Sequence, residues 1–286
     1  NHWRIMLEKE IISWFKKNKR DLPWRKTDTW GVLTSEFMLQ QTPVNRVLPV
    51  YEEWMKRWPT ASSLAKATPA QVITAWGRLG YPRRALRLHE CAKEITNNLG
   101  GKIPENEAEL RALPGIGEYT AAAIAAFAFE KRSLVLDINI RRLYARLFDG
   151  VETPTQAATK VEKSRYEELI PKREPHVWAA ASMELGAVIC TSQAPKCGIC
   201  PVAQACMWRS LDYPKSDVVK RRQSWHGTDR QCRGTIVQAL RENEVLTKSQ
   251  IAQLWDVPSQ LEKALLTLLD DGLIESRGKN KFSLPR

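Results

Sequence analysis

Apolar residues recur at helical spacing along most of the first 210 positions, and period-two alternation is confined to the C-terminal end. Residues 3–18 predict an amphipathic helix whose apolar content is Ile5, Leu7, Ile11, Ile12, Trp14 and Phe15, with Pro23 stopping any continuation. From Trp30 to Trp58 the pattern is helical again. Glu36, Gln40 and Gln41 stand there among Val32, Leu33, Phe37, Met38 and Leu39, and Pro43 breaks the helix or begins the next. Short helices are expected at 60–66 and 68–77, opened by Thr60 and Thr68 with Pro69 at a first helical position. A turn at 77–81 leads to a helix over 83–99, closed by Gly100-Gly101, and a short helix over 105–113. Further helices are expected at 155–170 and 174–189.

Between these lies the stretch that organises the chain, LPGIGEYTAAAIAAFAFEKRSLVLDINIRR at 113–142. Gly115 and Gly117 permit positive φ and expose bare backbone N–H groups, a cradle for an anion. Tyr119 to Phe129 is Ala-rich and apolar nearly all round, as a buried helix is. Asp137 then stands between the apolar run Leu134-Val135-Leu136 and the cations Arg141 and Arg142. An anion cradle, a central helix and one carboxylate suggest a site acting on a phosphate polymer.

Composition shifts at Tyr213. Residues 213–233 lack periodicity and carry a net charge of +4, which reads as a basic linker. In 234–286 helical patterns at 235–241, 248–255 and 259–270 precede two strands, 273–276 and 281–284, around Arg277-Gly278-Lys279-Asn280. Three helices and a basic-tipped hairpin make a winged-helix-like α+β unit, which either binds DNA or mediates protein contacts.

Charge sharpens the picture. Forty-four Lys and Arg against 32 Asp and Glu give +12, which favours a polyanionic partner and nucleic acid ahead of acidic membrane. No run of eighteen apolar residues exists, so no membrane span is expected. The amphipathic, charged amino end has no signal-peptide core, so cytoplasmic, nucleoid-associated residence as a monomer is the expectation. Of six cysteines, Cys190, Cys197, Cys200 and Cys206 crowd together at C-x6-C-x2-C-x5-C spacing. In a reducing compartment such a group is a set of metal ligands before it is a set of disulfides. Thiolate softness fits both zinc and an iron–sulfur cubane; one compact hook, without the two separated knuckles usual for structural zinc, favours [4Fe–4S].

The hairpin turn, Asp137 and the cysteine hook together resemble the helix-hairpin-helix DNA glycosylase superfamily in its endonuclease III branch. Within it, RDLPWR at 20–25, SEFMLQQT at 35–42, GRLGYPRRA at 77–85 and LPGIGEYTAAAIA at 113–125 resemble the adenine DNA glycosylases of the MutY type. The resemblance covers roughly residues 3–212. It implies a mainly α, two-lobed helical fold over 1–212, with a six-helix lobe at about 26–134 and a second lobe from about 1–25 and 135–212 holding the cluster loop. It also implies removal of adenine mispaired with 8-oxoguanine or guanine in double-stranded DNA.

On that resemblance Glu36 matches the acid that protonates the leaving base and later assists water, in an apolar setting from Phe37, Met38 and Trp30 that would raise its pKa. Asp137 matches the carboxylate that stays ionised and stabilises the oxocarbenium-like sugar, and Asn139 a residue beside it. Tyr119 stands where bifunctional relatives place a Schiff-base lysine, so excision without strand cleavage is expected. Gln41 and Tyr81 match intercalating residues, and Arg20, Leu22, Trp24, Arg25 and Glu184 match the adenine-pocket lining. Leu113, Gly115 and Gly117 match the turn whose backbone amides bind DNA phosphate. The four cysteines would hold [4Fe–4S], serving folding and positioning rather than chemistry, with Lys196, Arg209 and Lys215 nearby placing positive charge beside DNA. The chain departs from the pattern at Pro82, where relatives often have an aromatic residue, and in carrying the winged-helix-like unit where many members have a Nudix-like domain. Thymine-excising mismatch glycosylases share the tyrosine, so thymine or uracil excision is the competing specificity, and a catalytically silent DNA-binding protein is the third reading.

Overall fold

The helical periodicities become fifteen helices in the computed structural model, which describes residues 2–216 and 225–286. In chain order they are α1 (His2–Asn18), α2 (Thr29–Leu39), α3 (Val44–Arg57), α4 (Ala61–Ala65), α5 (Pro69–Trp76), α6 (Arg83–Asn98), α7 (Glu107–Ala112) and α8 (Glu118–Phe129). Then come α9 (Ile138–Asp149), α10 (Lys160–Leu169), α11 (Pro175–Val188), α12 (Met207–Ser210), α13 (Asp229–Glu242), α14 (Lys248–Ala252) and α15 (Pro258–Asp270). Their starts are chemically specified. Thr60, Thr68, Thr159 and Thr247 each accept a hydrogen bond from the third residue of their helix, whose side chain bonds back to the threonine amide. Three short strands, β1 (Leu246–Thr247), β2 (Glu275–Ser276) and β3 (Lys281–Ser283), form an antiparallel sheet in the order β1-β3-β2. Its register pairs Leu246 with Phe282 and Glu275 with Ser283. No helix among the described residues is long and apolar enough to cross a membrane.

Contacts gather the chain into two compact units. The first consists of Asn1–Val32, Pro104–Ala112 and Ile116–Lys220. Its core joins Leu7, Ile11 and Phe15 of α1 to Ala122, Ala123 and Ala126 of α8, Ile140, Leu143 and Tyr144 of α9, and Trp178, Ala181 and Leu185 of α11. Helix α8 is buried from Thr120 through Ala126, as its all-round apolar sequence requires.

The second unit consists of Leu33–Ile103, Leu113–Gly115 and Arg221–Arg286. The sequence sets 234–286 apart behind a linker. The contacts instead group the described residues from 225 onward with 33–103, because Ile73 of α5 is fully buried in one core with Cys232, Ile236, Val237, Leu240 and Leu265. Burying one such side chain contributes roughly 1.5–3 kcal/mol. Arg241 fixes the same junction, its Nε donating to the Ile73 carbonyl at 3.0 Å. Helix α13 starts at Asp229, inside the stretch read as linker, with the Thr228 hydroxyl capping Gln231 N. The middle of that stretch, 217–224, lies outside the described residues. Helix α9 and strand β1 were not expected from the periodicity.

Candidate active site

In the second unit, Glu36 sits on α2, only 5% exposed, and its neighbours Phe37 and Met38 are fully buried. Just past the end of α2 the chain turns at Gln41 (φ +55°), and a second loop turns at Tyr81 (φ +48°). Both are non-glycine residues in the left-handed region, a costly conformation that persists only where surroundings impose it. Arg84 supplies that constraint. Its Nη1 donates to the carbonyls of Phe37 (2.9 Å), Met38 (3.1 Å) and Gln40, closing the end of α2. Its Nη2 donates to Thr42 Oγ1 (2.9 Å) and to the carbonyls of Leu79 (3.3 Å) and Gly80 (3.0 Å). One guanidinium therefore ties the Gln41 turn to the Tyr81 turn, and it also lies over the Trp76 ring at 5.1 Å. Burial lowers its pKa to about 10, so it remains a cation at neutral pH. Arg84 lies within the GRLGYPRRA motif, yet nothing in the sequence marks which of its arginines turns inward.

The hairpin turn has one strict requirement. Gly115 has φ +79°, and a Cβ there would lie 2.7 Å from both Phe37 Cε1 and Arg87 Cβ, so no side chain fits. Gly117 corrects the sequence expectation. Its φ is −91° and ψ −177°, an extended conformation that any residue adopts, and it serves as the residue preceding the first turn of α8. Open space faces its missing Cβ. Leu113 is buried.

In the first unit, Asp137 caps α9. Its Oδ1 accepts from the Ile140 amide at 2.6 Å, and its Oδ2 accepts from Asn139 Nδ2 at 2.7 Å. Asn139 Oδ1 in turn accepts from Arg142 Nη2 at 2.9 Å. Arg142 continues the chain of bonds to the carbonyls of Gly186 (2.6 Å) and Cys190 (2.7 Å). Burial pushes the Asp137 carboxyl above its ordinary value, while the Ile140 amide, the Asn139 side chain and the Arg142 cation pull it back. The capping bond and the Asn139 bond together fix the rotamer of this carboxylate. Tyr119, half-buried in the first turn of α8, packs on the core of the same unit.

Arg20, Arg25 and Glu184 are also brought together. Glu184 is wholly buried on α11. Its Oε1 accepts from Arg20 N and Nε, and its Oε2 from Arg20 Nη2 and Arg25 Nη2, each at 2.8 Å. Burial by itself would raise the Glu184 carboxyl, but the bonds from Arg20 and Arg25 outweigh it and hold the pKa at about 2. Leu22 between the two arginines is buried, and Trp24 half-buried.

The four clustered thiols line one small pocket with Pro195, Val202 and Trp208. Among the described residues, no three His, Cys, Asp or Glu side chains stand in ready metal-binding geometry. Cations of α9 and α12 stand beside the thiols, Arg209 of α12 lining the same pocket. Arg146 is 1% exposed, donates Nη1 to Cys190 Sγ at 3.4 Å and to the Thr191 carbonyl at 2.7 Å, and lies over Trp208 at 4.5 Å. Lys215 instead pairs with Glu152 at 3.6 Å on the surface. Burial, and then the other three cysteines, push Cys200 up to about 11. Four thiolates here therefore need a cation to be held together, which the chemistry of an iron–sulfur or zinc centre supplies.

Comparison with known proteins bears on both units. Residues 34–170 match the family model described as HhH-GPD superfamily base excision DNA repair protein. An adenine DNA glycosylase of Mycolicibacterium smegmatis is 45% identical over 96% of this chain and 94% of its own length. One of Mycobacterium tuberculosis is 42% identical over 99% of this chain and 94% of its own. Among solved structures, a thermostable thymine-DNA glycosylase is 26% identical with TM-score 0.65, covering 73% of this chain and 97% of that one. A non-covalent endonuclease III–DNA complex, at 18% identity and TM-score 0.63, covers 74% of this chain and 97% of that one and shares the fold.

Proposed function

This chain belongs to the adenine DNA glycosylases of the HhH-GPD base-excision repair superfamily, and from that premise we propose that it hydrolyses adenine from adenine·8-oxoguanine and adenine·guanine mispairs without cutting the strand. The observation that carries the reading is the Asp137 carboxylate, locked by Ile140 N and Asn139 Nδ2. Cleaving a base–sugar bond builds positive charge on the sugar. A carboxylate already held in one rotamer stabilises that charge without reorganising. Glu36 protonates the departing adenine at N7, which lets the base leave neutral, and then orients or deprotonates the attacking water. Tyr119 carries a phenol where Schiff-base chemistry needs an amine, so no covalent imine links enzyme to sugar. Gln41 and Tyr81, held up by Arg84, fill the stack when adenine leaves it. Leu113, Gly115 and Gly117 present backbone N–H groups to a phosphate. Leu22 and Trp24 line the adenine pocket with Arg20, Arg25 and Glu184, the ion triad around the buried Glu184 fixing the segment that carries them.

The Cys190, Cys197, Cys200 and Cys206 thiolates would hold a [4Fe–4S] cluster, with Arg142 and Arg146 offsetting their charge. Such a cluster supplies cross-linking of the loop and no step of the hydrolysis. The purified protein is expected to be coloured, with the visible charge-transfer absorption of an iron–sulfur centre. A colourless, zinc-loaded preparation would contradict this assignment.

The specificity is tested by single-turnover cleavage, developed with alkali, of four duplexes holding A opposite 8-oxoguanine, A opposite G, T opposite G and U opposite G. Excision of adenine, appearing as strand breaks only after alkali, is the expected result. Activity confined to the pyrimidines would replace this reading by the thymine or uracil one. Breaks before alkali would remove the monofunctional assignment.

A further inference from the structure

Arg230 takes no part in the chemistry above. It is the second residue of α13 and is exposed, with its guanidinium carbon 4.4 Å from the Tyr81 ring centroid and 5.0 Å from that of Trp225. Among the described residues no carboxylate pairs with it. A guanidinium that uses its faces against two rings keeps its planar edge of N–H donors available, and that edge matches a phosphate bidentately.

Its position is fixed rather than incidental. Gln260 Nε2 donates to the Gly227 carbonyl at 3.0 Å and to Asp229 Oδ1 at 2.8 Å, and Lys263 Nζ pairs with Asp229 at 2.7 Å. The body of α13 is anchored on α5 through the core around Ile73, and Asp271, just past α15, pairs both with Arg233 of α13 and with Arg83 of α6, the latter at 3.2 Å. Tyr81 precedes α6, so ring and guanidinium are carried on one packed body within the second unit.

A winged-helix unit ordinarily reads DNA with the second helix of its helix-turn-helix, here α15. The single cation of α15 is already paired, Lys263 with Asp229 at 2.7 Å; Glu262 pairs with Lys248 at 2.7 Å, Asp270 is an exposed anion, and Leu266 is exposed and apolar. That face offers a phosphate little. The first turn of α13, where Arg230 stands, does.

We propose that Arg230 is a DNA phosphate-binding residue coupled to Tyr81: stacked on the ring, it grips the backbone phosphate flanking the base step that Tyr81 enters. The C-terminal unit thereby supplies a contact to the mispair-reading loop, resting on the reading of Tyr81 as the intercalating side chain.

The test is equilibrium binding of the full-length protein to a duplex holding a non-hydrolysable adenine analogue opposite 8-oxoguanine, titrated with salt. Arg230→Gln is expected to weaken binding about tenfold near physiological salt and to lower the salt slope by about one phosphate contact. Arg230→Lys should restore the slope while leaving affinity reduced, because charge returns without the planar fork. In a Tyr81→Leu background the Arg230→Gln loss should shrink to about twofold or less. An unchanged slope in Arg230→Gln overturns the phosphate contact, and fully additive losses overturn the coupling to Tyr81. Wild-type protein that excises no adenine, yet shows these slopes, sinks the proposed specificity and leaves Arg230 standing.

Discussion

Glu36→Gln is expected to reduce single-turnover adenine excision by about 10³-fold, within the range for loss of a positioned general acid, while mispair binding stays within about twofold. The substitution is nearly isosteric. Glu36 is only 5% exposed on α2, flanked by Phe37 and Met38 that are not exposed at all, so volume is conserved where packing is tight. The amide keeps its hydrogen-bonding capacity and loses only the transferable proton. On the proposed reading binding rests on other side chains, Gln41 and Tyr81 among them, and Arg84 still bonds the carbonyls at the end of α2. Excision at the wild-type rate would rule Glu36 out as the acid, and loss of binding along with excision would assign it to structure.

The second large effect concerns stability. Glu184→Ala strands two guanidiniums that now converge on one carboxylate, and breaking such a pair typically costs about 3–5 kcal/mol. Arg20 is 39% exposed at its side chain and can turn to water, so the lower end, about 3 kcal/mol, is the expectation. Urea unfolding of the two proteins measures the difference; a loss under about 1 kcal/mol would mean that the triad contributes little.

The same triad has an acid signature. Glu184 is lowered from 4.5 to about 2, so its contribution is complete above pH 4.5 and is lost as pH falls through about 2. Wild type should therefore shed stability between those values, and Glu184→Ala should lack that component of the acid transition. A variant that follows wild type through the whole window would contradict the assignment.

Helices with local signals were legible: α5 has its threonine and proline start, and α8 its unbroken alanine face. Helix α9 was not, for a definite reason. Its buried positions are shared by Ile140, Leu143 and Tyr144 with Arg141, Arg142 and Arg146, and an arginine reads as a solvated position in any hydropathy pattern. Each of those arginines is buried because carbonyls remote in sequence receive its donors, as Cys190 and Gly186 receive Arg142. Strand β1 is only two residues long and exists through pairing with β3, so it has no alternation of its own to read.

The candidate site divides the same way. Asp137 and Asn139 are two positions apart, and the four cysteines lie within one short loop, so covalent proximity makes their grouping visible in the sequence alone. The amino-acid sequence also determined the helical class, the placement of Glu36 on a helix among apolar residues and the tyrosine in place of a lysine at 119. Tertiary structure alone decided that Glu184 closes on Arg20 and Arg25 from about 160 positions away, that Arg84 turns inward to hold two strained loops, and that Arg230 stacks on Tyr81. Long-range ion pairs and cation–π contacts depend on where folded elements bring charges together. They leave no periodicity in the chain, because a charged side chain that finds its partner only after folding looks, before folding, like any residue facing water.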